Sequence, residues 1–264
     1  MRTATCVGLV LAATASVLLA DTYPAVTGGD IVITPGLHSS VQLQYRDTVV
    51  QVDPWSAADL SRHKKANVIL VTDEPGHHMD PKAIAALRQQ GTTVVVPPFI
   101  HKAFPDSTAL SNGESRTFSG VGVQSIAAYD LIPGAPEHPK GKSSAYLVTL
   151  GGRRLLFAGV TECVPEILAL KDIDIAFMPM NIPPRRMIPA AAANCVKRLK
   201  PKTVYVYHYD QGEAAAIAGA KPSADWLPSG TVADSLQTFQ AGLQGSGVEV
   251  RMADWYATPL LAKK

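Results

Sequence analysis

The chain has 264 residues, with 24 Lys and Arg against 22 Asp and Glu, a formal net charge of +2 and 47% hydrophobic residues. That balance suits a folded domain with a sizeable core and excludes a disordered acidic or basic tail. It also argues against nucleic acid as a partner, because phosphate binding needs clustered Lys and Arg and no basic stripe is present. The densest basic cluster, Lys197, Arg198, Lys200 and Lys202, falls at one predicted helix end, where it complements the helix dipole.

Residues 1–20 carry Arg2, then a mostly apolar stretch from Val7 to Leu19, then Ala20, the pattern of a secretory signal peptide. Leu18 is bulky where a small residue is preferred, which leaves the cleavage point open. The apolar run is shorter than the ~20 residues of a membrane span. The expectation is an exported protein, secreted or periplasmic, with residues 21–264 forming one domain and no stable membrane span after processing. Cys163 and Cys195 then remain, lacking the C-x-x-C spacing of a zinc ribbon. One structural bridge and two separate buried thiols are both compatible with the sequence.

Strands are predicted at Asp30 to Thr34, Val41 to Tyr45 and Thr48 to Val52, the last two joined by a tight Arg46-Asp47 turn. Asn67 to Val71 reads as a buried strand. Asp80 is placed as a helix N-cap, Pro81 in the first turn, and Ala83, Ile84 and Leu87 on the apolar face of a helix closed by Gly91. Strands follow at Thr93 to Val96, Arg116 to Phe118 and Val121 to Ala127. A Pro- and Gly-rich break at 133–141 leads into a hairpin, Ala145 to Leu150 and Arg154 to Ala158, turning at Gly151-Gly152.

Beyond the hairpin, helices alternate with strands. Val164 to Leu170 precedes Ile173 to Met178, Ile188 to Leu199 precedes Thr203 to Tyr207, and Val232 to Leu243 precedes Val248 to Met252. Two successive halves, each running from hairpins to β-α units, predict an α/β fold of two mixed sheets packed face to face with helices outside, an αββα sandwich.

Chemistry is concentrated in Thr72-Asp73-Glu74-Pro75-Gly76-His77-His78, a loop at the carboxyl end of a predicted strand, where open α/β sheets bind ligands. His138 and His208 also fall on loops or strand ends. Imidazole and carboxylate bind zinc and similar divalent ions, and such an ion lowers the pKa of bound water to about 7. Ser39 and Ser40 beside His38 lack a G-x-S-x-G elbow and an identifiable acid, and read as a strand-start polar cluster. Ser119-Gly120-Val121-Gly122 leads into a strand, not a helix, and reads as a turn and not a phosphate loop. Met178 to Pro184 reads as a rigid connection. Tyr207, Tyr209, Trp226 and Trp255 are not assigned to binding.

From Ile31 to His208 the chain resembles the metallo-β-lactamase superfamily, in particular its ascorbate-phosphate lactonase-like branch. The resemblance rests on Gly36-Leu37-His38-Ser39-Ser40, Asp53-Pro54, the loop at 72–80, Glu137 to Gly141, Phe157 to Glu162 and Tyr207-His208-Tyr209. The family's loop usually reads T-H-x-H-x-D-H, or T-D-x-H-G-D-H in a subgroup. Here Asp73 and His78 match, Pro75 replaces a ligand histidine, and His77 replaces an aspartate. His138 and His208 match site histidines, whereas Val160 stands where the aspartate bridging two metals would be.

The resemblance therefore implies a hydrolase with an altered, mononuclear site. His77, His78, His138 and His208 would be the metal ligands, for one zinc or other divalent ion, and Asp73 a ligand or general base. The substrate would be a small molecule with an ester, lactone, amide or phosphoester bond. The alternative is a non-catalytic binding protein that retains fold and cleft.

Overall fold

A computed structural model describes residues 20–132, 136–217, 219, 221 and 230–252. The expected signal segment, Trp226 and Trp255 lie outside them, apart from Ala20. Among the described residues two seven-stranded sheets form, and they repeat one plan. In the first, β1 (Asp21–Pro24), β2 (Asp30–Pro35), β3 (Val41–Tyr45) and β4 (Thr48–Val52) make an antiparallel meander. β5 (Val68–Leu70), β6 (Thr93–Val96) and β7 (Thr108–Ala109) then extend it in parallel.

The second sheet runs likewise, antiparallel through β8 (Ser115–Phe118), β9 (Val121–Ala128), β10 (Ser143–Leu150) and β11 (Arg153–Phe157). It becomes parallel through β12 (Ile175–Pro179), β13 (Thr203–Tyr207) and β14 (Glu249–Arg251). The helices are α1 (Pro81–Leu87), α2 (Pro98–His101), α3 (Pro165–Leu168), α4 (Pro189–Leu199), α5 (Gln211–Ile217) and α6 (Val232–Gly242). The αββα sandwich expected from the sequence is the fold. None of the described helices is long and apolar enough to cross a membrane.

Inward-facing residues of both sheets, among them Ile31, Leu43, Val50, Leu70, Tyr146, Phe157 and Phe177, share one large apolar cluster. Phe157 stacks on Phe177 at 4.5 Å between centroids, and Phe177 on Tyr205 at 5.1 Å. Each aromatic pair of this kind adds ~0.5–1.5 kcal/mol beyond its area burial. A second cluster, with Ile69, Val94, Ile84 and Leu87, packs α1 on the outer face of the first sheet.

Local signals set the edges of the elements. Asp80 caps α1 as expected, accepting from Lys82 N at 2.9 Å and Ala83 N at 3.2 Å. The helix stops at Leu87, before Gly91, because Arg88 takes an extended conformation (ψ 149°). Arg46 adopts φ 53° in the hairpin turn between β3 and β4. Thr231 caps α6 through a capping box with Asp234.

The sheets are tied together at one end by main-chain hydrogen bonds, Ser144 N to Thr72 O at 3.0 Å and His208 N to His38 O at 3.1 Å. Tyr146 Oη donates to Val71 O at 3.0 Å beside them. This is the end at which β4, β5, β12 and β13 terminate. Cys163 and Cys195 form a disulfide with a Cα separation of 5.6 Å, linking the segment after β11 to α4. The bridge closes a loop of 32 residues, worth ~3–4 kcal/mol by the chain-entropy relation. Replacing both cysteines by serine should lower the unfolding free energy in urea by about that amount. A loss under ~1 kcal/mol would show that the bridge constrains little.

Candidate metal centre

Four chain segments meet at the tied end. The turn between β2 and β3 carries His38, made possible by Gly36, whose missing Cβ would sit 2.5 Å from Ser40 Oγ. β4 ends at Asp53, the segment after β5 supplies Thr72, Asp73, His77 and His78, and β13 ends at His208, followed by Asp210 and Gln211. His38, Asp53 and His208 hold φ of 60°, 42° and 50°. Such left-handed backbone costs a non-glycine residue ~1–3 kcal/mol and persists only where surrounding contacts over-determine it. Here the contacts are the His208 to His38 main-chain bond and the buried polar network around it.

The histidines are held from behind by carboxylates. Asp53 accepts Thr72 N at 2.8 Å and Thr72 Oγ1 at 2.6 Å, and its Oδ2 lies 2.8 Å from His78 Nδ1. Asp210 Oδ1 lies 2.8 Å from His38 Nδ1. Gln211 Nε2 lies 2.8 Å from His208 Nδ1. His38 and His78 thus set Nδ1 against a carboxylate, whereas at His208 the Gln211 amide nitrogen donates to Nδ1 and also lies 3.5 Å from His38 Nε2. His78 Nε2 and His208 Nε2 stand 3.2 Å apart, within hydrogen-bond distance of each other.

His38, His77 and His208 each offer one ligand nitrogen within 4.8 Å of the other two. The rings are crowded, with centroids 3.8 Å apart for His38 and His208, 5.0 Å for His38 and His77, and 4.5 Å for His77 and His78. Burial, followed by the neighbouring imidazoles, pushes His77 and His208 well below the ordinary histidine range. Both rings are therefore neutral near pH 7, the form in which imidazole ligates metals. Asp210 Oδ2 is buried with no hydrogen-bond partner among the described residues.

His138 and Asp73 are placed differently from the sequence expectation. His138 lies outside the converging nitrogens, with Nε2 3.2 Å from Asp73 Oδ2 and Nδ1 3.3 Å from Asp130 Oδ1. Arg186 reaches both Asp130 and His138 Nδ1, the latter at 2.8 Å. Ser143 Oγ donates to Asp73 Oδ1 at 2.7 Å. Asp73, Ser143, His138, Asp130 and Arg186 thus form one polar network, and among the described residues neither Asp73 nor His138 belongs to the group of mutually close ligand nitrogens. Pro75 is exposed, and its carbonyl accepts His78 N at 2.7 Å and Met79 N at 2.9 Å, while Val160 is part of the main core.

Sequence reasoning missed His38 as a member of the cluster, together with Asp210, Gln211 and Arg186. The signal for His38 was available: a histidine at a hairpin turn, beside the strand whose end carries Asp53.

The fold and this site define an αββα protein with a histidine-rich centre between its sheets. The chain belongs to the beta-lactamase superfamily, whose domain model matches residues 33–208. A candidate metal-dependent hydrolase from Parabacteroides distasonis is similar in structure (TM-score 0.76) and 31% identical, covering 91% of this chain and all of that one. A UPF0173 metal-dependent hydrolase of Pelotomaculum thermopropionicum is 27% identical over 177 residues, 61% of this chain and 77% of its own. Igni18, a metallo hydrolase of Ignicoccus hospitalis, shares the fold (TM-score 0.63) at 16% identity, over 84% of this chain and 94% of that one.

Burial opposes a charge on His138, but hydrogen bonds to Asp130 and Asp73 outweigh it and raise its pKa above the ordinary ~6.5. Its contribution to stability is therefore complete below that value and is lost as pH rises through the raised pKa. Proton NMR of the His138 ring should give a pKa above 6.5. A value at or below it would contradict the ion-pair network.

Proposed function

We propose that this protein is an exported metal-dependent hydrolase with one ion held between its sheets by His38, His77 and His208, and with His78 against His208 on the flank. The observation that carries the reading is the convergence of these rings with a buried carboxylate behind two of them. Histidine ligands of metals usually give their other ring nitrogen to a carboxylate, which fixes the ring and raises its basicity. Asp210 behind His38 and Asp53 behind His78 have that arrangement. All-nitrogen donor sets of this kind suit zinc and its neighbours. When bound, a divalent ion supplies Lewis acidity, polarising an acyl or phosphoryl oxygen and acidifying water.

The chain's own residues supply the rest. His138 stands against Asp73, which belongs to the same loop after β5 as His77 and His78. The proton between His138 Nε2 and Asp73 Oδ2 is the one available to a leaving group, and Asp130 and Arg186 keep the ring oriented for its transfer. Asp73 thus acts with His138 as a proton-holding pair and not alone. The substrate is a small molecule with an ester, lactone, amide or phosphoester bond. Export is supported by the apolar N-terminal segment and by the disulfide, since such bridges persist in oxidising compartments.

Purified protein should carry about one zinc or other divalent ion per chain. His38→Ala and His208→Ala should each abolish stoichiometric loading, and Asp210→Asn should weaken zinc affinity about ten- to a hundredfold. Chelation should remove turnover of p-nitrophenyl esters. Unchanged metal content in both alanine variants would overturn the site, and one ion without turnover of any of the four bond types would make the protein a binder.

A further inference from the structure

Beside His77 a cleft of about 370 Å³ opens, lined by Trp55, Gly76, His77, Met79, Asp80 and Pro81. Its size lies at the small end of organic-ligand clefts. Trp55 follows Asp53-Pro54 at the end of β4, and its ring stands edge-on to His77 at 6.1 Å and to His38 at 6.3 Å. Met79 is half-buried, held by its main-chain bond to Pro75 O, and packs against the outer core. The cleft therefore starts at the histidine cluster and has an indole, a thioether and a pyrrolidine as walls.

Its one carboxylate is already committed. Asp80 Oδ1 accepts Lys82 N and Ala83 N at the start of α1, and Oδ2 accepts Ser56 N at 2.7 Å. Despite partial burial, these bonds lower its pKa, beginning with the one from Ser56. The carboxylate remains anionic with both oxygens engaged by main-chain N–H groups, and among the described residues no lining side chain is a lysine or arginine. Asp80 sets a like charge against an anionic group placed here, whereas a neutral apolar group would cover the surfaces of Trp55, Met79 and Pro81.

We infer that this cleft is the substrate subsite and that it selects a neutral alkyl or aryl group attached to the bond that reaches the histidine cluster, with Trp55 as the specificity-determining residue. The inference rests on the hydrolase reading above and names the substrate class for that site. Burying a group the size of a Phe side chain is worth roughly ten- to a hundredfold in affinity.

The test follows the ¹³C-methyl resonance of Met79, one of six methionines, in the full chain as isolated. The probes are phenylacetamide, acetamide, and 4-carboxyphenylacetamide, which carries its charge on the ring end. Phenylacetamide should shift the resonance saturably, and the other two at least tenfold more weakly. Trp55→Ala should weaken phenylacetamide at least tenfold, and Met79→Glu, at a half-buried position, should do the same when followed by competition with p-nitrophenyl phenylacetate or by calorimetry. Equal binding of charged and neutral rings, or a Met79 resonance that none of them moves, would overturn the subsite. Saturable phenylacetamide binding without hydrolysis of p-nitrophenyl phenylacetate would remove the hydrolase reading and leave the apolar selectivity standing.

Discussion

Two buried carboxylates oriented on imidazoles, Asp53 on His78 and Asp210 on His38, are the constraint from which the site is built. Each pair spans distant sequence, 25 and 172 residues apart, and joins segments that no local propensity would bring together. Burying such groups carries a penalty of several kcal/mol per ion unless their hydrogen bonds are met. Asp53 meets it through Thr72 and His78, whereas Asp210 has one oxygen with no partner among the described residues. The left-handed backbone at His38, Asp53 and His208 is where the fold accommodates this arrangement.

The two halves of the sandwich divide the work. The first sheet contributes Asp53, His77 and His78 from adjacent parallel strand ends, and the turn at His38 brings a fourth member from its antiparallel part. The second contributes His208, Asp210 and Gln211. A separate polar knot, Asp73, His138, Asp130 and Arg186, fills the neighbouring space with protein charges of both signs.

Much of the fold was legible because burial on both faces writes itself into the sequence. Val41–Tyr45, Thr48–Val52, Thr93–Val96 and Thr203–Tyr207 were readable to the residue, as β-branched runs between turn signals. The short pieces were not. β7 is two residues long, β1 pairs at an edge, and α5 begins directly after the site, where Gln211 serves the cluster as well as the helix. At the site, His77, His78 and His208 were singled out through the family resemblance of the loop at 72–80 and of Tyr207-His208-Tyr209. His138 was readable as a site residue, but its partners were not, because Arg186 lies 48 residues away on a connection that reads only as a proline-rich link. His38 was passed over because its neighbours Ser39 and Ser40 invite a nucleophile argument that the structure does not support: Ser39 Oγ sits 3.2 Å from His78 Nδ1 as part of the network holding that ring.

The most direct test of the central claim is anomalous diffraction at the zinc edge from crystals of the protein grown with zinc. The account predicts one peak per chain within bonding distance of nitrogens from His38, His77 and His208. A peak held instead by Asp73 and His138, or no peak between these three rings at full zinc saturation, would contradict it.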